Sequence, residues 1–589
     1  NDTSKEAEVK NEIRSYIKEL KQYVYDLPNM YPTTVSPFDK LNNIYTYDPA
    51  TSVLDSTDIE GDRFTLTFPA SQILQGIEQG LNGNEDAQVE RVYNALLAWE
   101  QEMQFAYAKK GVYEELKDFN GNGSIDEEDR KEFNNNKVST LRMNIKYQRM
   151  MMGAGGYASS HHVGVPGGGA GFMQGVPYKF DANGKVTNPD EAKLYGDLIG
   201  HEIGHVLDAP GRVYDETSNN LFRELTKTID DKDKSSLESG TYEKLYKKVT
   251  SHTKGLSTDR MVVLGMLWQL RLAYEDSYTS QMLITDSDNN PNNDSYFAKV
   301  NRAYRNLTEE EKKADRDQKL IMVSSRVAQK DLTDFFIAHG ITPTTETYAY
   351  IAKNKWEKET RQIQYINDEA RRQRLAGTNA MATDTEVVAS FGVDKEGNKI
   401  KDGSYVNQKE VPLNLSVNKD SEKILGYEIL RNGQPWGFVE AKGNKTIKYD
   451  DVVDTSNNRT FEYSIVAYDY LLNKTEEASL GTIKVRHDGS ISKESLNLST
   501  NTIDKIGDND THGDNEALKQ AIDGKSDTVY EGRMMTKEEY DSMPTKVESL
   551  KPGTDPYVII DTNSINAISG IKYTAPTTTG KIFRTKKLA

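Results

Sequence analysis

Two histidines four residues apart, with a glutamate directly after the first, carry the clearest chemistry in this sequence. His201-Glu202-Ile203-Gly204-His205 sets both imidazoles on one helical face, where they can grip a single zinc ion. Glu202 then stands about 100° round the helix, in reach of a water on the metal rather than of the metal itself. Ile199, Ile203 and Val206 make the opposite, core-facing stripe, and Asp208-Ala-Pro-Gly211 ends the helix. A catalytic zinc takes three protein ligands and keeps a position for water, so one ligand must come from elsewhere. Glu216 and Glu224 are the local choices, with Asp208 a third, and spacing alone does not decide among them. In this chemistry Glu202 is the general base that takes a proton from the water and passes it to the leaving amine. Tyr157, His161, His162 and Tyr214 are candidate donors to the oxyanion, none singled out by its spacing.

A second metal signal is Asp118-Phe-Asn-Gly-Asn-Gly-Ser-Ile-Asp-Glu-Glu-Asp129. It places oxygen ligands as an EF-hand loop does: Asp118, Asn120, Asn122, the Ser124 backbone carbonyl, Asp126 directly or through water, and Asp129, with Gly123 at the sixth position. The twelfth position is aspartate, a shorter arm than the usual glutamate, and no paired loop follows, so calcium is expected here as a structural clip. Nine of the 23 residues from Gly153 to Gly175 are glycine. Tyr157 to Phe172 within that run is expected to form a cleft-edge strand and loop that a substrate backbone can approach. It lacks the spacing of a phosphate loop.

These residues need elements to position them. Residues 4–27 read as an amphipathic helix on Ile13, Ile17, Leu20, Tyr23 and Val24, stopping at Leu27-Pro28. Helical patterning recurs over 70–81, 86–116, 190–208, 215–230, 240–253, 258–286, 308–314, 331–339 and 345–376, with a strand-like run over 140–152. The expected class is therefore α+β: a mostly helical peptidase region over 1–382 with a small sheet, in which a helical segment over 1–139 precedes a peptidase core over 140–382. From about Thr383 the hydrophobic period falls to two. Gly426 to Gly433 and Thr460 to Asp469 alternate as half-buried strands do, which predicts a β-sandwich of fibronectin type III or Ig-like kind over 383–487. Tyr463 is a candidate for the tyrosine at its corner. Residues 488–589 are expected to hold a portion of a discoidin-like, galactose-binding-type domain, on Ala521 to Thr528, Asp555 to Asp561 and Ile568 to Tyr573, with the natural chain continuing further.

Composition limits the function. The chain has 589 residues, no cysteine, and 74 Lys plus Arg against 91 Asp plus Glu, a net charge of −17. Disulfides, thiolate nucleophiles and Cys-type zinc sites are excluded, and so acidic a protein lacks the broad basic face that nucleic acid or anionic lipid rewards. The sequence shows neither a membrane-spanning apolar run nor the apolar core of an export signal.

His201 to His205 followed by Glu216-Thr-Ser-Asn-Asn220 resembles the enhancin and bacterial mucinase family of gluzincin-like zinc metallopeptidases. The likeness covers about 140–355, taking in the glycine-rich run, Leu267-Trp-Gln-Leu270, and Asp331-Leu-Thr-Asp-Phe-Phe336 with His339-Gly340. It implies Glu216 as the third zinc ligand. It also implies a secreted or cell-surface bacterial enzyme of the clostridial kind, acting on mucins and other O-glycosylated proteins, with sugar-binding modules in its tail. The rival expectations are a non-catalytic glycan-binding adhesin and a general metalloprotease without glycan dependence; Glu202 between the histidines favours catalysis.

Overall fold

In the computed structural model, residues 3–30, 55–148, 151, 154–181, 186–196, 198–209, 211, 214, 216–230, 234–275, 295–406, 408–456, 458–485, 496–504, 518–522, 530, 532–543, 546, 548–553 and 555–561 are described. The site rests on one five-stranded sheet and the helices around it. Strands β1 (Thr57–Glu60), β2 (Phe64–Phe68), β3 (Met143–Tyr147), β4 (Tyr157–Ser159) and β5 (His162–Val165) lie in the order β1-β2-β3-β5-β4. β3 runs parallel to β2 and β5, while β4 is antiparallel to β5 and forms an edge.

The helices are α1 (Thr3–Met30), α2 (Ala70–Glu78), α3 (Glu85–Lys110), α4 (Glu127–Asn136), α5 (Leu198–Val206), α6 (Asn220–Asp230), α7 (Thr241–Val249) and α8 (Arg260–Tyr274). After them come α9 (Tyr296–Arg305), α10 (Glu309–Lys313), α11 (Arg316–Ala328), α12 (Thr333–Ala338), α13 (Thr345–Asn354) and α14 (Asp368–Leu375). Ile13, Ile17 and Leu20 bury the apolar stripe of α1, but the helix carries through Pro28 to Met30. A proline this close to a helix end removes little of the ladder. α3 stops at Gly111, whose φ of 65° suits a residue without Cβ, rather than running to 116. α5 begins only at Leu198, and the 345–376 pattern breaks after Asn354, where Lys355 turns left-handed. Residues 276–286 of the expected 258–286 helix lie outside the described residues.

α3 is the axis of the core. Trp99 is fully buried on it and stacks on Tyr195 with ring centroids 4.0 Å apart. Glu102, one turn on, is fully buried too, and among the described residues it accepts from the Tyr195 amide at 3.4 Å and the Thr226 hydroxyl at 3.5 Å. Burial, aided by Asp230, pushes its carboxyl up from 4.5 to about 8. A carboxyl raised on folding gives stability that is complete below its unfolded value and lost as pH climbs to the folded one. The Tm of Glu102→Gln relative to wild type is therefore expected to rise between pH 4.5 and about 8 and to stay level above that, read from melts across pH.

Beyond α14 the chain forms β6 (Val387–Phe391), β7 (Tyr405–Val406), β8 (Glu410–Val417), β9 (Ile424–Arg431), β10 (Gln434–Glu440), β11 (Thr446–Val452), β12 (Arg459–Asp469) and β13 (Ala478–Val485). One sheet has the order β10-β9-β12-β13-β7 and the other β11-β8-β6, with Leu413, Leu415, Tyr427, Ile429, Tyr463 and Ile465 in their shared core. Sequence alternation predicts half-buried strands, yet all eight residues of β9 are buried. The reason is that the outer face of the larger sheet joins the helical core: Leu425, Leu430, Phe438 and Val466 belong to the same apolar cluster as Trp99 and Ile203. Tyr365 stacks on Phe438 at 4.1 Å, and Glu428 accepts from the hydroxyls of Tyr365 and Tyr468. Tyr463 sits within β12 and donates to the Asp451 side chain at 2.6 Å, completing a buried pair with Arg431 instead of closing a corner onto backbone.

Past 496 the described residues form two short pairings, β14 (Asn497–Thr500) with β17 (Val558–Asp561) and β15 (Ile503–Asp504) with β16 (Gly532–Arg533), beside α15 (Lys537–Ser542). Residues 523–528 and 568–573, on which much of the discoidin-like expectation rests, lie outside the described residues.

Candidate metal centre

α5 packs on α6, on the edge strand β4 and on its neighbour β5, so the histidine-bearing helix lies against that side of the sheet. Ile199 and Ile203 are buried as the stripe requires, and Val206 is half-buried. Gly204 allows the crossing: a Cβ there would lie 2.3 Å from the Asn219 carbonyl oxygen.

The turn before α6 delivers the third group. Glu216 holds a left-handed φ of 56°, rare for a residue with a side chain, and the Thr217 amide ties it to the Tyr214 carbonyl at 2.8 Å. Its Oε2 lies 3.0 Å from His201 Nε2 and 3.4 Å from His205 Nε2. Tetrahedral ligands about 2.0–2.1 Å from zinc stand roughly 3.3 Å apart, so Glu216 Oε2 stands near the spacing of a fellow zinc ligand from each imidazole. Glu202 also lies within 4.8 Å of both histidines' ligating atoms. The tighter approach belongs to Glu216, toward which both Nε2 atoms converge.

Glu202 is 4% exposed, and burial holds its carboxyl above the usual range against the pull of the two histidines. Gly156 makes room for it, since a Cβ at that position would fall 2.5 Å from Glu202 Oε1. Two asparagines from the stretch after Glu216 complete the setting. Asn220 Oδ1 accepts from His201 Nδ1 at 2.8 Å, which leaves Nε2 free to ligate. Asn219 Nδ2 stands 3.2 Å from His201 Nε2 and 3.0 Å from His205 Nε2, while its buried Oδ1 finds no hydrogen-bond partner among the described residues. In the sequence these asparagines stand only as members of a pattern; nothing in their spacing assigns them to particular imidazole nitrogens.

The other sequence candidates separate clearly. Glu224 is fully buried, accepts from the Ser236 amide at 2.8 Å, and does not line the cleft that holds the histidines. Asp208 pairs with Lys110 at 2.7 Å. Tyr157 lines the cleft of about 710 Å³ that contains His201, Glu202, His205 and Glu216, as does Arg223. His161 and His162 lie at the β4–β5 turn and do not line that cleft. Tyr214 is buried with its hydroxyl committed to Asp317 at 2.8 Å.

In the loop 118–129, Asp118 accepts from the amides of Gly121 and Gly123, both at 2.7 Å, and Gly123 has a φ of 88°. Asp126 caps α4 and receives Asn120 and Asn122, which with the Asp129 amide holds its carboxyl down to about 2. Asp129 completes the capping box and is buried against the Phe119 and Asp126 amides; the Ser124 amide donates to Asn122. These bonds close the turn and start α4. Among the described residues, the group of three His, Cys, Asp or Glu with ligand atoms mutually within 4.8 Å is the one on α5, not these aspartates.

Residues 131–340 match the family described as peptidase M60, enhancin and enhancin-like, which marks that stretch as a metallopeptidase region of enhancin type. No curated protein matches the chain. Among solved structures it is similar to the M60 catalytic domain of ZmpC from Clostridium perfringens, determined in complex with the sialyl T antigen: 20% identity, 79% of this chain and 73% of that one, TM-score 0.50. It is also similar to the catalytic module of the metalloprotease ZmpA from the same organism, at 17% identity, 79% and 72% coverage and TM-score 0.49. A functionally unknown conserved protein from Bacillus anthracis matches at 14% identity, 73% and 72% coverage and TM-score 0.37. The first of these shows the fold. No helix among the described residues is long and apolar enough to cross a membrane.

Proposed function

We propose that this chain is a secreted or cell-surface zinc endopeptidase that hydrolyses peptide bonds in O-glycosylated, mucin-like proteins, with His201, His205 and Glu216 holding the metal and Glu202 acting as general base. The observation that carries the reading is the approach of Glu216 Oε2 to both imidazole Nε2 atoms, with the buried Glu202 on the same helix. Zinc bound there supplies Lewis-acid polarisation of the scissile carbonyl and an acidified water. Glu202, desolvated and so eager for a proton, takes one from the water and hands it to the departing amine. Asn220 keeps His201 in the tautomer that leaves Nε2 unprotonated. Among the described residues β4 is the edge strand beside the cleft, on which an extended peptide can pair, and the place of Tyr157 at its start supports a role in holding the oxyanion. Glycan dependence is supported by the family match and by the sugar bound to the clostridial neighbour. Calcium at Asp118, Asn120, Asn122, Ser124, Asp126 and Asp129, and sugar binding by the β-rich tail, complete the reading on sequence grounds.

Binding energy from a sugar beside the scissile bond would position the peptide, so the full chain should cleave an O-glycosylated peptide with kcat/KM about ten-fold or more above its deglycosylated form. Equal rates would leave a general metalloprotease, and zinc-loaded protein that cuts neither peptide would leave the adhesin.

A further inference from the structure

A buried ammonium lies behind the metal centre. Lys110, the last residue of α3, is fully buried; its Nζ donates to the Gly204 carbonyl at 2.9 Å and to Asp208 Oδ1 at 2.7 Å. Gly204 belongs to the zinc-binding helix and Asp208 follows His205 by three residues, so one cation holds the exit of that helix from two directions. The other oxygen of the same carboxylate, Oδ2, accepts from Ser218 Oγ at 2.6 Å. Ser218 is 1% exposed and stands two residues after Glu216. The helix carrying two ligands and the turn carrying the third are thus linked through one carboxylate fixed to α3.

That link adds a side-chain tie to a turn otherwise held by local bonds, the Asn220 side-chain amide donating to the Glu216 carbonyl at 2.9 Å among them. Glu216 is left-handed, a conformation that costs a side-chain-bearing residue free energy and persists only where its surroundings impose it. On its N-terminal side Tyr214 accepts from the Thr217 and Ser218 amides; on its C-terminal side stands the Ser218–Asp208–Lys110 chain. We propose that Lys110, Asp208 and Ser218 form a positioning chain that holds the Glu216 carboxylate against His201 and His205 and thereby sets the affinity of the centre for zinc. The inference rests on the zinc reading given above. None of the three residues touches the metal or the reacting atoms.

Ser218 is the point at which to cut the chain, since Lys110 or Asp208 variants would strand a buried charge and endanger the fold. Zinc dissociation constants measured by chelator competition, beside melting curves of the metal-free proteins, separate positioning from bulk stability. Groups that orient ligands typically account for about 10- to 100-fold in metal affinity. Ser218→Ala should weaken zinc by that factor while the metal-free protein stays folded with a Tm lowered only modestly by one lost buried hydrogen bond, and Ser218→Thr, which keeps a hydroxyl, should stay within a few-fold of wild type. Wild-type zinc affinity in Ser218→Ala, or equal weakening in both variants, would overturn the proposal and leave the zinc reading standing. Zinc uptake unaffected by His201→Ala would remove the zinc reading and the proposal together.

Discussion

Glu202→Gln should leave a folded protein that binds zinc as wild type does and hydrolyses peptides about 10²- to 10⁴-fold more slowly. Glutamine keeps the volume that fills the space beside Gly156, so neither α5 nor β4 has reason to move. What it removes is the carboxylate's capacity to accept a proton in a site where burial already favours the protonated form. The two measurements constrain each other. If activity falls and zinc is lost together, Glu202 is a ligand and the assignment of Glu216 fails. If zinc stays and turnover is undiminished, proton transfer runs through another group.

The second large effect concerns the ligand set itself. Glu216→Ala is expected to raise the zinc dissociation constant by at least about 100-fold, more than the loss of a merely orienting group, because only the two histidines and water would remain. Glu224→Ala makes the contrast. It leaves the zinc ligands in place but strips the Ser236 amide and hydroxyl of a buried acceptor, at a cost of about 1–3 kcal/mol in stability. Zinc titration of both variants, beside their melting temperatures, decides the matter: zinc retained by Glu216→Ala and lost by Glu224→Ala would reverse the assignment.

How legible the centre is from sequence depends on how local its geometry is. His201, Glu202 and His205 follow from helical periodicity, and helix geometry delivers what spacing promises. Glu216 is open to sequence only through a family resemblance, because a left-handed turn brings it back to the histidines, and no periodicity encodes such a turn. Asn220 is harder still, since its role lies in a single bond to one imidazole nitrogen. The 118–129 stretch is legible by its spacing, that of a calcium loop, and the structure adds what spacing does not encode, that Asp126 and Asp129 cap the start of α4. The strand pattern after 383 is readable, but the second burial of β9 is not, because alternation records one covered face and is silent about a neighbour on the other.

The aromatic seam between Tyr246, Tyr365 and Phe438 has a consequence for reach. A module on a flexible tether raises the local concentration of whatever it holds and lets that partner explore a volume. A module welded through a continuous apolar core permits no such search. Any extended polymer that touches both the sandwich and the cleft meets them at one separation and one angle, as an object meets the two jaws of a caliper. Across such a span, the bond brought to Glu202 is selected by distance along the polymer as well as by the residues on either side of it.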